Sequence, residues 1–179
     1  MRNKNGLRTG ATLSRTMRVN IDLDEHVVAT LPKIWGNEVG FMGFFNKSKE
    51  GILALTNKKI IFIPEWVFVT PKERTQKYFT EDQAKVTRID GYSEAQLDED
   101  ISKYSKSLLV SLESVISVET VILRKVNFLR IKFRAKNRDR TYDFGIAKTL
   151  TNYPIRQPLQ FYNLDWSAWV KLINAYLPI

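Results

Sequence analysis

The sequence predicts a mainly β domain with some α: a run of antiparallel strands closed at one end by a C-terminal helix. Three stretches carry that prediction. Residues 129–140, LRIKFRAKNRDR, alternate apolar and cationic side chains, and successive side chains of a strand point to opposite faces. Residues 51–64, GILALTNKKIIFIP, hold two apolar runs about Asn57–Lys58, the spacing of a hairpin with a two-residue bend. Residues 164–178, LDWSAWVKLINAYLP, place Trp166, Trp169, Val170, Ile173 and Leu177 on one helical face. A helix with two buried tryptophans after a run of strands is expected to cap a sheet or barrel.

The remaining elements follow in order. Residues 22–36 begin with acids, continue with an apolar run and meet Pro32 and Gly36 as breaks, so they read as a short helix or strand. Residues 38–46 are aromatic-rich and read as a strand, followed by a polar turn over 46–51. Asn57 suits the hairpin bend because it tolerates positive φ. Residues 65–79, with Trp66, Phe68 and Pro71, extend the hairpin or cover an edge. Thr80 before Glu81 and Asp82 predicts a helix start, and Leu97, Ile101 and Tyr104 form one helical stripe. The 65–106 stretch therefore reads as a polar, acidic insert on the domain surface. Residues 107–123 predict two strands with a bend near Glu113–Ser114, and 124–127 a turn. In the last hairpin, Phe133 opposite Tyr142 and Ile131 opposite Phe144 keep one face apolar. That register puts Lys132 opposite Asp143 and the bend at Asn137–Arg138. Asp165 is expected to cap the final helix and Pro178 to stop it.

A chain of 179 residues has the length of one domain. Residues 1–20 read as a basic flexible arm and 21–179 as a single domain. With 44% apolar and 26% charged residues the composition is that of a globular protein. The absence of cysteine excludes disulfides, thiolate metal sites and cysteine nucleophiles. His26 is the single histidine, so a metal site of histidines and cysteines is excluded. It sits beside Asp24 and Glu25, as a surface histidine does. No glycine-rich phosphate loop is present, and residues 98–103 lack calcium-loop spacing. A non-enzymatic protein without metal or cofactor is expected. No apolar run approaches the roughly 18 residues of a membrane span, so no transmembrane segment is expected. No apolar stretch follows the basic N-terminus, so no secretory signal is expected either. Residues 1–20 share the arginine-rich, acid-free composition of transit peptides without their amphipathic period. A cytoplasmic location is expected, with peripheral attachment to a membrane left open.

The net charge of +9 favours anionic partners, and it is unevenly distributed. Residues 1–20 carry Arg2, Lys4, Arg8, Arg15 and Arg18 and no acid. Residues 81–100 are acidic, whereas 122–140 are strongly basic, with Asp139 their only acid. The row Arg130, Lys132, Arg134 and Lys136 is thus expected on the outer face of a strand. It stands there as decoration, as a partner of the acidic insert, or as an attraction for an anionic surface.

Residues 51–62, GILALTNKKIIF, resemble the signature of GRAM-like and bacterial pleckstrin-homology-like (PH-like) domains. Gly51, Leu53, Leu55, Thr56, Asn57, Lys59, Ile61 and Phe62 match it, and Ala54 stands where an aromatic residue is usual. VSLESVISVE (110–119) and the Trp-containing last helix are similar to later elements of that family. The resemblance implies a partly open barrel of about seven antiparallel strands in two orthogonal sheets, plugged by the helix. It implies a binding module rather than an enzyme. By position in lipid-binding relatives, Lys47, Lys49, Lys58 and Lys59 would hold a phospholipid head group. The favoured function is a peripheral adaptor for anionic phospholipid surfaces. The alternative is a protein-interaction or self-assembly module, with homo-oligomers open, which exposure of Trp66 would support. Nucleic-acid binding is less favoured, because Phe133, Tyr142 and Phe144 point away from the cations and leave them no stacking platform.

Overall fold

The computed structural model describes residues 18–40, 48–68 and 72–179. In chain order the elements are β1 (Val27–Glu38), β2 (Lys49–Thr56), β3 (Lys59–Pro64), α1 (Lys72–Thr75), α2 (Glu94–Lys103) and β4 (Leu108–Ser111). A 3-10 turn (Leu112–Ser114) leads to β5 (Val115–Leu123), β6 (Val126–Ala135), β7 (Arg138–Thr151), β8 (Gln157–Phe161) and α3 (Ser167–Tyr176). The strands form one antiparallel sheet in the order β4-β3-β2-β1-β7-β6-β5, with β8 on β7. β4 and β5 end the path without pairing to each other, so the sheet is open. There are eight described strands where about seven were expected. The extra one is β8, which holds Pro158; an edge strand tolerates a proline because one side of it needs no N–H donor.

β1 runs through both residues expected to break it. Pro32 sits at a register shift between Pro32 and Ile34, and Lys33 takes φ +60° there, so a bulge absorbs the missing donor. Gly36 is a packing requirement: a Cβ would stand 2.8–2.9 Å from the rings of Phe62 and Phe144. Glu38 ends β1, and most of the strand expected over 38–46 lies outside the described residues.

The β2–β3 bend falls at Asn57–Lys58 as expected, but neither residue is among those with positive φ. Side chains hold the bend instead. Thr56 Oγ1 accepts from the backbone N–H of Lys58 at 3.1 Å and of Lys59 at 2.8 Å. Asn57 Oδ1 accepts from His26 N–H at 2.8 Å.

In the β6–β7 hairpin the expected register is corrected by two residues. Ile131 faces Tyr142, Phe133 faces Arg140 and Arg130, not Lys132, faces Asp143. The bend is Lys136–Asn137, both at positive φ (47° and 65°), the twist-matched turn in which asparagine is tolerated. A two-residue slip preserves parity, so the apolar and cationic faces stay as read. It also sets Asp139 opposite Arg134, so two carboxylates of β7 serve the cationic row.

The insert is corrected in two respects. No helix starts at Thr80; Phe79 bridges Ala84, and Gln83 bridges Asp165. Nor is the insert confined to the surface, because Tyr78, Ala84, Ile89, Tyr92, Leu97 and Ile101 belong to the buried core. α2 forms as its stripe predicts, capped by Ser93, whose side chain accepts from Gln96 N–H. Its acids do not lie over the cationic row. Asp98 accepts the backbone N–H groups of Val19 (3.0 Å), Asn20 (2.7 Å) and Ile21 (3.1 Å). Asp100 accepts from Trp66 Nε1 and the Tyr92 hydroxyl, each at 2.8 Å. The last residues assigned to the arm are thereby pinned to α2, while residues 1–17 lie outside the described part.

α3 closes the core. Trp166, Trp169 and Ile173 are fully buried, each large side chain contributing roughly 1.5–3 kcal/mol. Trp166 Nε1 donates to Asn127 O and Trp169 Nε1 to Lys85 O, both at 3.1 Å, so one helix ties β6 to the insert. Asp165 Oδ1 accepts from Ser167 N–H at 2.8 Å, serving the helix start from one position before the capping residue Trp166. Among the described residues no helix is long and apolar enough to cross a membrane.

Candidate anion-binding pocket

At one end of the sheet β1, β2, β3 and β7 converge with the residues leading into β4. They enclose a cavity of about 520 Å³ lined by Gly36, Glu38, Lys49, Phe62, Tyr142 and Arg140, with Lys106 at its side. Strand alternation explains the lining. Gly36 and Glu38 share a face of β1, and Arg140 and Tyr142 share the parity of Phe144 on β7. The aromatic floor is a stack: Phe133 to Tyr142 at 6.1 Å, Tyr142 to Phe144 at 6.0 Å, and Phe62 edge-on to Phe144 at 5.4 Å.

Arg140 lies on this floor, 5.9 Å from the Phe133 ring centre and 5.4 Å from that of Tyr142. Its Nε donates to Glu38 Oε1 at 2.7 Å and its Nη2 to Glu38 Oε2 at 3.0 Å and to the Tyr142 hydroxyl at 2.9 Å. The Glu38 bond holds the guanidinium pKa above its ordinary value, so Arg140 is a permanent cation. Burial, with Glu38 beside it, raises the Tyr142 phenol, which stays a neutral donor. At the rim Lys49 pairs with Glu65, and that hydrogen bond lowers the Glu65 pKa. Lys106 has no carboxylate within ion-pair distance among the described residues. The cavity therefore gathers Lys49, Lys106 and Arg140 against Glu38 in its lining and Glu65 at its rim. The cavity can seat an anionic group among these cations, with an apolar floor beneath.

Of the four lysines assigned by position, the three described ones are not brought together. Lys49 lines the cavity, and Lys47 lies outside the described residues. Lys58 and Lys59 occupy the opposite end of the β2–β3 hairpin, roughly 23 Å away at ~3.3 Å per strand residue. There Lys58 Nζ contacts Asp22 at 3.0 Å and Asp24 at 2.7 Å, and Lys59 Nζ contacts the buried Glu25 at 2.5 Å. These pairs hold the chain before β1 onto the hairpin. His26, beside them, is exposed. Trp66 is half-buried, stacked on Phe68 at 5.7 Å and hydrogen-bonded to Asp100. Of the row, Arg130 is tied to Asp143, and Lys132 and Arg134 to Asp139.

Arg140 and Lys106 were missed as site residues. The signal for Arg140 was its parity with Tyr142 and Phe144, which places a cation on the apolar face. Lys106 had no such signal, because its place follows from the insert's return to the sheet. No family model matches the chain, and neither curated proteins nor solved structures offer a match.

Proposed function

We propose that the chain is a non-enzymatic binding module of the GRAM-like or PH-like kind that takes an anionic phospholipid group at the end pocket. It acts as a peripheral adaptor on the cytoplasmic side of a membrane. The single observation that carries this reading is the charge at the cavity, Lys49, Lys106 and Arg140 against Glu38 in the lining and Glu65 at the rim, over an aromatic floor. The strand order with a terminal capping helix supports the domain type. The pocket also lies where β1 ends and β2 begins and includes Lys49, one of the lysines assigned by position.

The test is co-sedimentation of the full chain with phosphatidylcholine vesicles, alone or containing phosphatidylserine, at low and high salt. Each Lys or Arg near an anionic surface contributes about 1 kcal/mol. Lys49→Ala/Lys106→Ala is therefore expected to weaken binding to the anionic vesicles about 30-fold, with thermal stability kept. Binding unchanged in that variant, or none by the parent, would remove the proposal.

A further inference from the structure

Among the described residues β4, β5 and β8 each pair on one side only. Two of these margins are blunted. β4 is four residues long, and β8 is five residues long and holds Pro158. β5 runs for nine residues, VISVETVIL, with neither proline nor lysine nor arginine among them. Sheet edges ordinarily use shortness, proline or lysine to prevent pairing with another chain. The bulge between Val115 and Ser117 disturbs only the first residues of β5. Ile122 is 72% exposed, Ile116 44% and Leu123 40%, so this strand also leaves apolar surface in water.

The ladder fixes which groups the margin offers. Arg124 and Lys125, at φ 50° and 69°, form the two-residue turn into β6. Leu123 and Val126 close that turn as a hydrogen-bonded pair, and such pairs alternate along the strand at Val121, Glu119 and Ser117. The N–H and C=O groups of Val118, Thr120 and Ile122 therefore point away from β6. Among the described residues no hydrogen bond reaches them.

The strand is its own complement. Val118 and Ile122 stand symmetrically about Thr120. A second β5, running antiparallel with Thr120 opposite Thr120, sets each Ile122 against Val118 of the other copy. Three opposed pairs then exchange about six hydrogen bonds. Glu119 faces Val121 of the second copy, whereas centring the pairing on Glu119 would set two glutamates face to face. Within its own chain Glu119 stands opposite Arg130. The turn Arg124–Lys125 of each copy comes alongside Val115–Ile116 of the other, next to Glu113. Glu113, Arg124 and Lys125 have no ion pair among the described residues, so acid meets base at both ends of the pairing.

We propose that the chain forms a two-fold symmetric dimer by antiparallel pairing of β5 with β5 of a second copy. The two sheets become one continuous sheet, and the exposed Ile122 of each copy is covered by the other. No residue of β5 lines the end pocket, so the dimer stands independently of the lipid reading and leaves both cavities open.

The test is sedimentation equilibrium of the full chain over a dilution series, where twice the chain mass is expected at the concentrated end. Ile122→Lys places a lysine on the margin and is expected to halve that mass with the circular dichroism spectrum kept. The register has its own readout, because the chain holds no cysteine. Opposed Cα atoms of a hydrogen-bonded pair lie about 5.5 Å apart, within disulfide range. With oxidised glutathione, Thr120→Cys is expected to form a covalent dimer at least about tenfold faster than Leu159→Cys on β8. This pair of variants decides the matter should Ile122→Lys fail to fold. The proposal is overturned by a parent that keeps the single-chain mass at millimolar concentration, or by assemblies that grow beyond two copies. It is overturned equally by a folded Ile122→Lys variant of doubled mass, or by equal cross-linking rates at Thr120 and Leu159.

Discussion

The two ends of the β2 strand carry the same residue type and put it to opposite use. At the bend, Lys58 and Lys59 meet Asp22, Asp24 and Glu25. At the other end, Lys49, Lys106 and Arg140 converge on a cavity whose lining holds one carboxylate. Both ends pair cations with carboxylates; the difference is the balance, three acids for two lysines at the bend and Glu38 with Glu65 for three cations at the cavity. A lysine's position in a motif does not fix its role; the local balance of charge does. The cationic row is intermediate, with two carboxylates shared among its cations.

The contrast can be broken most directly at Glu25, which is 1% exposed. Its carboxylate accepts from Thr56 Oγ1 and Lys59 Nζ, each at 2.5 Å, and from Asp22 N–H at 3.1 Å. Removing one partner of a buried pair costs about 3 kcal/mol. Glu25→Ala should therefore lower the thermal midpoint by roughly 10 °C in circular dichroism, with vesicle binding kept. An unchanged midpoint would mean that the bend end is not the structural one. Glu38→Gln sharpens the comparison from the other side. It should cost about 1–2 kcal/mol in urea unfolding, through a weakened bond to Arg140. It should also raise affinity for anionic vesicles about fivefold, since a carboxylate leaves the cavity. A variant that lost both stability and binding would make Glu38 part of the ligand seat.

The smallest effect concerns pH. The hydrogen bond from Lys58 lowers the Asp24 pKa below its ordinary value of 3.8. A depressed carboxylate contributes stability that is present above its unfolded pKa and lost as pH falls through the folded one. Asp24→Asn should accordingly flatten stability against pH below about pH 4 and leave it flat near neutrality. A slope as steep as the parent's would assign the acid sensitivity to another group.

The strands whose pattern is local were legible. β2, β3, β6 and the α3 stripe follow from alternation or helical period, and parity survived even where register did not. Three things were not legible, for physical reasons. β1 crosses Pro32 because a bulge, a tertiary feature, absorbs it. The register of β6–β7 turned on which two residues took positive φ, and both candidate bends contained Asn137. The insert's burial depends on Trp169 reaching Lys85 O, a contact across 84 positions. The pocket was half legible: Lys49 was named and Arg140 could be read from parity. The neutralisation of Lys58 and Lys59 required knowing where the chain before β1 returns.

The seam between β1 and β7 has a consequence for the order of assembly. Five of the strand pairings join chain neighbours, whereas β3–β4 spans the insert and β1–β7 brings together residues such as Glu38 and Arg140, 102 positions apart. Loop-closure entropy grows with the length enclosed, so the seam is the most expensive pairing to close and the natural last step of folding. The end pocket draws its walls from both sides of that seam and exists in neither half alone. Any molecule held there binds only the finished fold, and so acts by mass action as a clasp on its slowest joint.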